Sequence, residues 1–547
     1  MAKSTPNAPI ELDLSTGQSV TVEGVAALSG TQYVRFTSNE KAFEIPRLSF
    51  VGEKLNVRKL LAEKGIVIIA SDDWNALLDV VNKTTQFRQE PLIEKPGWTE
   101  PYYALPTGIV LRPKGAPKGT AVFTGRDRKA ARSGSPLKWR KAIPEVLTGQ
   151  SLPMVAIMAG FAAPLQRFAE TNLNGGIECY GPGNTGKTTL LTLMASISGD
   201  PADMPTFHAT DFGHEQAFAE FEDRILPIDE GSMRADRSPQ STKTFNFRMA
   251  HGTPKVSAIQ PSRRQHSFIY ALSSNSPFAD DLAQLDHDTA EAAMQRLISL
   301  EVNGPPLGVL DFIPDGFAST ADVMQHLNRS ARQQFGTAFP KFIAHIVDLR
   351  AADDYAFRQR IRDGIATFEQ RLGMAGSTAE KSRISSAFGL LYVAGIIAQE
   401  ANVLPEEWDC MSACVAAFQN YLLQRPALMP LQARLKLVAG LHQTLDLRNR
   451  TAPNLTKKRF EAHGAFLKSG VKGRTELLLT DAIQKRYFPD FRKLAKSGRY
   501  TDLIIRDKDR LTTQRQVRKG ARYKKERFYC FVLPPEVVPP VEPASSA

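Results

Sequence analysis

The chain has 547 residues, of which 42% are hydrophobic and 23% charged, with 4 cysteines and a formal net charge of +12. That length suits roughly three or four domains, and the composition is that of an ordinary soluble protein. No apolar run reaches the ~18 residues of a bilayer span. The N-terminus lacks the apolar core of a secretion signal, and Cys410 and Cys414, the only close cysteines, have no neighbouring histidine to make a metal site. A cytoplasmic protein without a membrane contact is expected.

Residues 10–52 alternate in short β-like runs separated by Gly, Ser or Asn: Ile10–Leu14, Ser19–Val22, Gln32–Phe36 and Ala42–Ile45. They predict a small antiparallel domain over 1–90, with helices at Val57–Lys64 and Asp72–Thr85, the second capped by Ser71. The Gly97-Trp98 turn and the strand pieces of Tyr102–Val110 open a region over 91–150 that leads into the core. Arg112–Gly134 is basic and turn-rich, an exposed loop. From Pro144 to Glu170 the pattern is helical and apolar.

Gly181-Pro182-Gly183-Asn184-Thr185-Gly186-Lys187-Thr188-Thr189 fits G-x-x-x-x-G-K-[ST], the phosphate loop of nucleoside triphosphatases. A short buried strand, Gly176–Tyr180, precedes it and a helix, Thr188–Ser198, follows. In that context backbone amides of Gly181 to Thr189 surround the phosphates at the positive end of a helix dipole. Lys187 reaches the β/γ oxygens, and the Thr188 hydroxyl holds Mg²⁺. The chain therefore binds a nucleoside triphosphate, within a P-loop core over 151–320.

Asp211–Glu222 reads as a second helix, and Arg224–Glu230 (RILPIDE) as an apolar strand ending in adjacent acids, a Walker B strand. Asp229 would bind the water shell of Mg²⁺ and Glu230 would orient and deprotonate the attacking water. A capping Asp-Glu pair is the alternative. A third strand, Ser267–Leu272, ends in Ser273-Ser274-Asn275-Ser276, which places Asn275 at the sensor position of AAA+ and related ring ATPases, or makes it a turn asparagine. Gly252 and Pro254 form a tight turn with Lys255 past its tip, either a pore-lining DNA contact or a solvated basic turn. Arg296, before the strand Leu297–Val302, is a candidate finger for the neighbouring subunit's γ-phosphate or the partner of an acid between Asp280 and Glu291.

Residues 321–450 predict a helical lid, helical to about residue 445. Residues 451–530 carry 22 Lys/Arg against 8 Asp/Glu, a net of +14, so the remainder of the chain sums to −2. A nucleic-acid contact surface concentrates charge in this way. Helices at Asp481–Phe488 and Phe491–Lys496, followed by strands at Asp502–Ile505 and Arg522–Leu533, suggest a basic winged-helix-like domain over 451–533. Arg518, Lys519, Arg522, Lys524 and Lys525 lie along its wing as candidate nucleic-acid contacts, DNA more than RNA. A solvated charged face is the alternative. Residues 534–547 read as a proline-rich disordered tail.

These residues resemble the family of domain of unknown function 927, ATPases related to superfamily-three helicases. The resemblance rests on the Gly97-Trp98 turn with Ala104-Leu105-Pro106, GNTGKTTLL with ASISGDP, HATDFGHEQAFAEFEDRILPIDEG, FRMAHGTPK, ALSSNSP and QQFGTAFPKFI. It implies an α/β fold with a RecA/AAA+-like P-loop ATPase core, Mg²⁺-dependent ATP hydrolysis and a homo-oligomeric ring such as a hexamer. Lys187 and Thr188 would be Walker A, Asp229 and Glu230 Walker B, Asn275 the sensor and Arg296 the finger. Asn184-Thr185 replaces the usual serine pair, and Gly231–Arg237 departs from the usual glutamine-containing pattern. The expected function is a DNA helicase or translocase, with a nucleotide-switched assembly ATPase as the alternative.

Overall fold

Alternating apolar residues near the start of the chain build an antiparallel meander: β1 (Ile10–Asp13), β2 (Ser19–Ala26), β3 (Gln32–Ser38) and β4 (Lys41–Pro46) pair in sequence order. The computed structural model describes residues 9–27, 29–39, 41–90, 92–116, 122–123, 132–169, 175–205, 220–229, 238–251, 266–282, 292–293, 295–373, 379–441, 444–448, 462–470, 473–508, 510–515, 517 and 526–540. They fall in two units, Met1–Phe418 and Gln419–Ala547.

In the first unit, α1 (Ser49–Gly52), α2 (Lys54–Glu63) and α3 (Ser71–Lys83) follow the meander. Val57, Leu61, Trp74 and Leu77 share a core with Val22, Val34 and Phe36. Ser71 does not cap α3: it is the first helical residue, Ala70 stands at the cap position, and no side chain caps there. Asp73 of the first turn instead accepts the Ser15 amide (2.9 Å) and hydroxyl (2.5 Å), which ties the helix start to the β1–β2 turn. β5 (Arg88–Gln89) joins β2 in parallel. β6 (Leu92–Ile93) pairs with β10 (Val122–Phe123), while β7 (Gly97–Thr99), β8 (Tyr102–Ala104) and β9 (Val110–Leu111) form a small antiparallel sheet.

The core begins with α4 (Pro136–Ala142) and α5 (Ser151–Ala162), the latter buried from Pro153 to Ala162. Next come β11 (Gly176–Tyr180), α6 (Lys187–Ser198), β12 (Ile225–Ile228), α7 (Pro239–His251), β13 (Ile269–Ser274), α8 (Phe278–Leu282) and β14 (Leu297–Glu301). The four strands form one parallel sheet in the order β12-β13-β11-β14. Every residue of β11, β12 and β13 is buried, as a sheet covered on both faces requires. The third strand in sequence thus lies between the phosphate-loop strand and the acid-ended strand, and it runs on through Ser273 and Ser274. Glu178 fastens the sheet from within: its carboxyl accepts Ser274 Oγ (2.6 Å), the Phe278 amide (3.1 Å) and Ser299 Oγ (2.6 Å), reaching both neighbouring strands. Burial pushes its pKa up to about 7, against those hydrogen bonds.

Helices α9 (Thr320–Gln333), α10 (Ala338–Arg371), α11 (Ala379–Glu400) and α12 (Cys410–Gln424) follow, and the boundary between the units falls within α12. Ser319 caps α9, which packs on α6, while α11 packs on α5. α10 breaks at Asp353 (φ −161°, ψ 100°), whose carboxylate caps the second half by accepting the Ala356 amide at 2.9 Å.

The second unit contains α13 (Leu431–Ala439), β15 (Thr444–Asp446), β16 (Ala465–Ser469), β17 (Thr475–Leu479), α14 (Asp481–Tyr487), α15 (Phe491–Lys496), β18 (Ile504–Ile505), β19 (Thr513–Arg515) and β20 (Glu526–Val532). The helical run expected to about residue 445 ends at Ala439, because Thr444–Asp446 pairs with β16 as a strand. The sheet order is β15-β16-β17-β20-β18, with β19 also on β20. Leu435, Val438, Ile483, Phe491 and Leu494 from the helices pack with Leu477, Leu479 and Phe531 of the sheet. Among the described residues no helix is long and apolar enough to cross a membrane. All four cysteines are buried and free.

Candidate nucleotide-binding site

The turn from β11 into α6 needs backbone conformations that few residues adopt. Gly186 has φ +93°, and a Cβ there would lie 2.8 Å from both Met324 Sδ and Val309 Cγ2. Asn184 has φ +60°, and asparagine is among the non-glycine residues that enter this left-handed region most readily. The Asn184-Thr185 departure therefore sits comfortably in the turn, with Thr185 Oγ1 donating to the Pro182 carbonyl at 2.8 Å. Pro182, Gly183 and Asn184 form the exposed rim, and Thr185, Lys187 and Thr189 are buried. A second segment braces the loop from beneath: the Val309 amide donates to the Thr185 carbonyl at 2.9 Å. Beside it Gly308 (φ +59°) approaches so closely that a Cβ would fall 2.3 Å from that oxygen.

Lys187 Nζ donates to the carbonyls of Gly181 (2.9 Å) and Pro182 (2.5 Å) at the loop's start. Burial holds its pKa below the ordinary lysine value. Thr188 is exposed, and its Oγ1 donates to Asp229 Oδ1 at 3.2 Å. Ser273 Oγ donates to the same oxygen at 2.5 Å. Two hydroxyls converging on one carboxylate oxygen beside a phosphate loop are hard donors of the kind Mg²⁺ takes alongside phosphate and water. Thr188 and Asp229 therefore fit the ion. Thr189 turns away from the loop's open side, its Oγ1 accepting Asn328 Nδ2 of α9 at 2.9 Å.

Asn275 lies exposed two residues beyond Ser273. β13 ends at Ser274, so Asn275 stands just past the end of the strand. Arg296 stands at the opposite end of the sheet from its own phosphate loop. Its carbonyl accepts the Gly176 amide (2.9 Å) where β11 begins, whereas the loop leaves β11 after Tyr180. The guanidinium lies 4.4 Å over the Phe247 ring and donates to the Ala292 carbonyl at 2.5 Å. Glu230, Lys255, Arg518, Lys519, Arg522, Lys524 and Lys525 lie outside the described residues, as do Asp211–Ala219 and Gly231–Arg237.

The Gly97-Trp98 turn serves the other end of the acid-ended strand. Trp98 donates its amide to Asp223 Oδ2 (2.9 Å) and its indole N–H to the Pro164 carbonyl (3.0 Å). A Cβ at Gly97 (φ +97°) would lie 2.6 Å from Asp223 Oδ2. Lys95 and His266 pair with Glu222 at 2.8 and 2.6 Å. Burial raises Asp223 to about 6, opposed by Arg167 and the Trp98 amide. The motif thus braces Asp223, just before β12 and six residues from Asp229. Sequence reasoning missed Ser273, Gly308 and Asp223. Only Ser273 carried a local signal, its place at the end of the buried strand, two residues before Asn275.

Among solved structures, one described as "SCCmec type IV Cch - active helicase" matches over 97% of this chain and 98% of its own, with a TM-score of 0.57 and 14% identity, so the two share a fold. Two apo structures of the NrS-1 C-terminal region align with TM-scores of 0.24 and 0.27 at 12% and 10% identity. They cover 58% and 69% of this chain and 65% and 88% of their own. No curated protein matches the sequence. Residues 28–263 match the family described as Domain of unknown function (DUF927), and the chain carries that domain.

Proposed function

We propose that this protein is an Mg²⁺-dependent ATPase acting on nucleic acid, a ring-forming DNA helicase or translocase of a mobile-element or phage-related replication system. The observation that carries the reading is the meeting of Thr188 and Ser273 on Asp229 beside Lys187 at the mouth of the phosphate loop. Lys187 exchanges its carbonyl partners for β/γ oxygens, and Thr188 and Asp229 hold Mg²⁺, which when bound neutralises charge on those oxygens. Glu230 orients and deprotonates the attacking water, and Asn275 senses the γ-phosphate. Arg296, at the far end of its own sheet, is suited to a neighbour's phosphate rather than its own. Pairing of β17 with β20, with α14 and α15 between them in sequence, supports the winged-helix reading of the basic region. The wing residues Arg518, Lys519, Arg522, Lys524 and Lys525, with Lys255, are the proposed phosphate contacts.

The test is ATP turnover with and without single-stranded and duplex DNA, alongside mass in solution with a non-hydrolysable nucleotide. Stimulation by DNA and a nucleotide-dependent ring support the reading, while turnover indifferent to DNA refutes it.

A second reading is a nucleotide-switched assembly ATPase that binds DNA without unwinding it. One surface favours it: Leu48, Val51 and Leu55, spread over α1 and the start of α2, are exposed on the N-terminal domain, as is Ile69. ATP hydrolysis and DNA binding without strand displacement would select it.

A further inference from the structure

Ion pairing takes up some of the described cations of the second unit and leaves others exposed. Arg434 pairs with Asp490 (2.5 Å), Arg448 with Asp446 (2.5 Å), Lys485 with Asp481 (2.7 Å), Arg515 with Glu476 (2.7 Å) and Arg527 with Asp507 (2.9 Å). A contrasting group lies on α15 and the turn after it. Arg492, Lys493, Lys496 and Arg499 are all exposed. None of the four pairs with an acid among the described residues. The nearest acids in sequence before them, Asp481 and Asp490, are engaged by Lys485 and Arg434.

The opposite side of α15 is fixed in the core. Phe491 and Leu494 are buried, and the Phe491 ring lies 4.9 Å from Tyr529 and 5.2 Å from Phe531. At ~100° per residue, positions 492, 493 and 496 fall within about a quarter of the helix circumference. Like charges three and four residues apart oppose helix formation, so this cluster costs the free domain stability. A polyanion laid against it would remove that cost.

We propose that this face of α15, continued by Arg499, is a contact surface for the phosphate backbone of duplex DNA. The inference rests on the reading of the protein as nucleic-acid-acting, and it places a contact on the helix in addition to the wing. Duplex rather than single strand follows from what the face lacks. Single strands are held by exposed aromatic rings on which bases stack, whereas Phe491, and Tyr487 and Phe488 just before it, are buried. The aromatic beside the face, the half-buried Tyr500, already lies under the Arg499 guanidinium at 5.5 Å, so the face offers charge without a free stacking platform, which suits phosphates outside a closed stack.

The experiment is duplex binding by the full chain across ~50 to ~200 mM salt, comparing wild type with the triple variant R492Q/K493Q/K496Q and with R499Q. Each phosphate contact contributes about 0.9 to the slope of log K against log salt. The triple variant is expected to flatten that slope by about 2 to 3 and R499Q by about 1, equally on unrelated sequences. ATP turnover without DNA should stay at the wild-type level, since α15 lies outside the phosphate site. A wild-type slope in both variants overturns the proposal, as does a loss confined to single-stranded DNA. ATP turnover in a wild-type protein that does not bind duplex DNA at low salt overturns it while sparing the ATPase reading. A slope lost in the variants of a protein without ATP turnover upholds it and removes the ATPase.

Discussion

Ser273 Oγ stands 2.5 Å from Asp229 Oδ1, a hydrogen bond across the β13–β12 junction on the side where the phosphate loop opens. Thr188 Oγ1 approaches the same oxygen from α6 at 3.2 Å. Ser273 is therefore a positioning residue: it sets the direction of the carboxylate that would hold Mg²⁺. A buried hydroxyl on a metal-binding carboxylate acts as an outer-sphere partner, and loss of such a partner typically lowers metal affinity ~10- to 100-fold.

Ser273→Ala should raise the Mg²⁺ concentration for half-maximal ATP turnover about tenfold, with ATP binding in the presence of a chelator unchanged. Ser273→Thr should restore most of the metal dependence. Equal weakening of metal-free nucleotide binding would mean that the serine supports the loop rather than the carboxylate.

Lys187→Ala should abolish tight nucleotide binding, whereas Glu230→Gln should bind ATP normally and accumulate an assembled complex that does not hydrolyse it. Equilibrium binding with a fluorescent nucleotide and light scattering separate the two. If both variants lose binding alike, Glu230 is structural.

Gly308→Ala should weaken nucleotide binding at least about tenfold, since a left-handed φ and a Cβ pressed on the Thr185 carbonyl add ~1–3 kcal/mol of strain beneath the loop. Gly304→Ala, where a Cβ meets nothing within 4 Å, is the control and should bind as wild type. Nucleotide titration of the two checks this directly.

Stability should fall with pH through Glu178. Its pKa is about 7 in the fold against 4.5 ordinarily, so burial favours the neutral carboxyl. That contribution is complete below about pH 4.5 and is lost as pH rises through about 7, a swing of about 3 kcal/mol. Glu178→Gln cannot ionise. Its Tm relative to wild type should therefore rise between pH 5 and 8, and a gap that stays flat across that range would contradict the assignment.

Much of the site is legible without coordinates because its chemistry is local. Gly186 and Lys187 work through the conformation of a nine-residue motif at the start of a helix, and Asp229 is announced by the buried strand before it. The Gly97-Trp98 motif was visible as a pattern but not as a brace, because its partner Asp223 is 125 residues away along the chain. Ser71 misled for a related reason: Ser15, distant in sequence, engages the first turn of α3 through Asp73. The wing attracted attention in the basic region because charge can be counted, but counting does not distinguish Arg515, bound to Glu476, from Arg492, which faces solvent.

The amino-acid order alone determined the phosphate loop, the buried strands around it and the concentration of positive charge beyond residue 450. Backbone geometry over a few residues and the side-chain types suffice for each of these. Only the tertiary structure decided that β13 lies between β11 and β12, and hence that Ser273 meets Asp229. It also placed Arg296 at the far end of the sheet and left the cations of α15 without an acid partner among the described residues. Strand order and ion pairing are set by contacts between distant segments, which compete for the same hydrogen-bonding edges and the same charges, and no local pattern encodes the outcome of that competition.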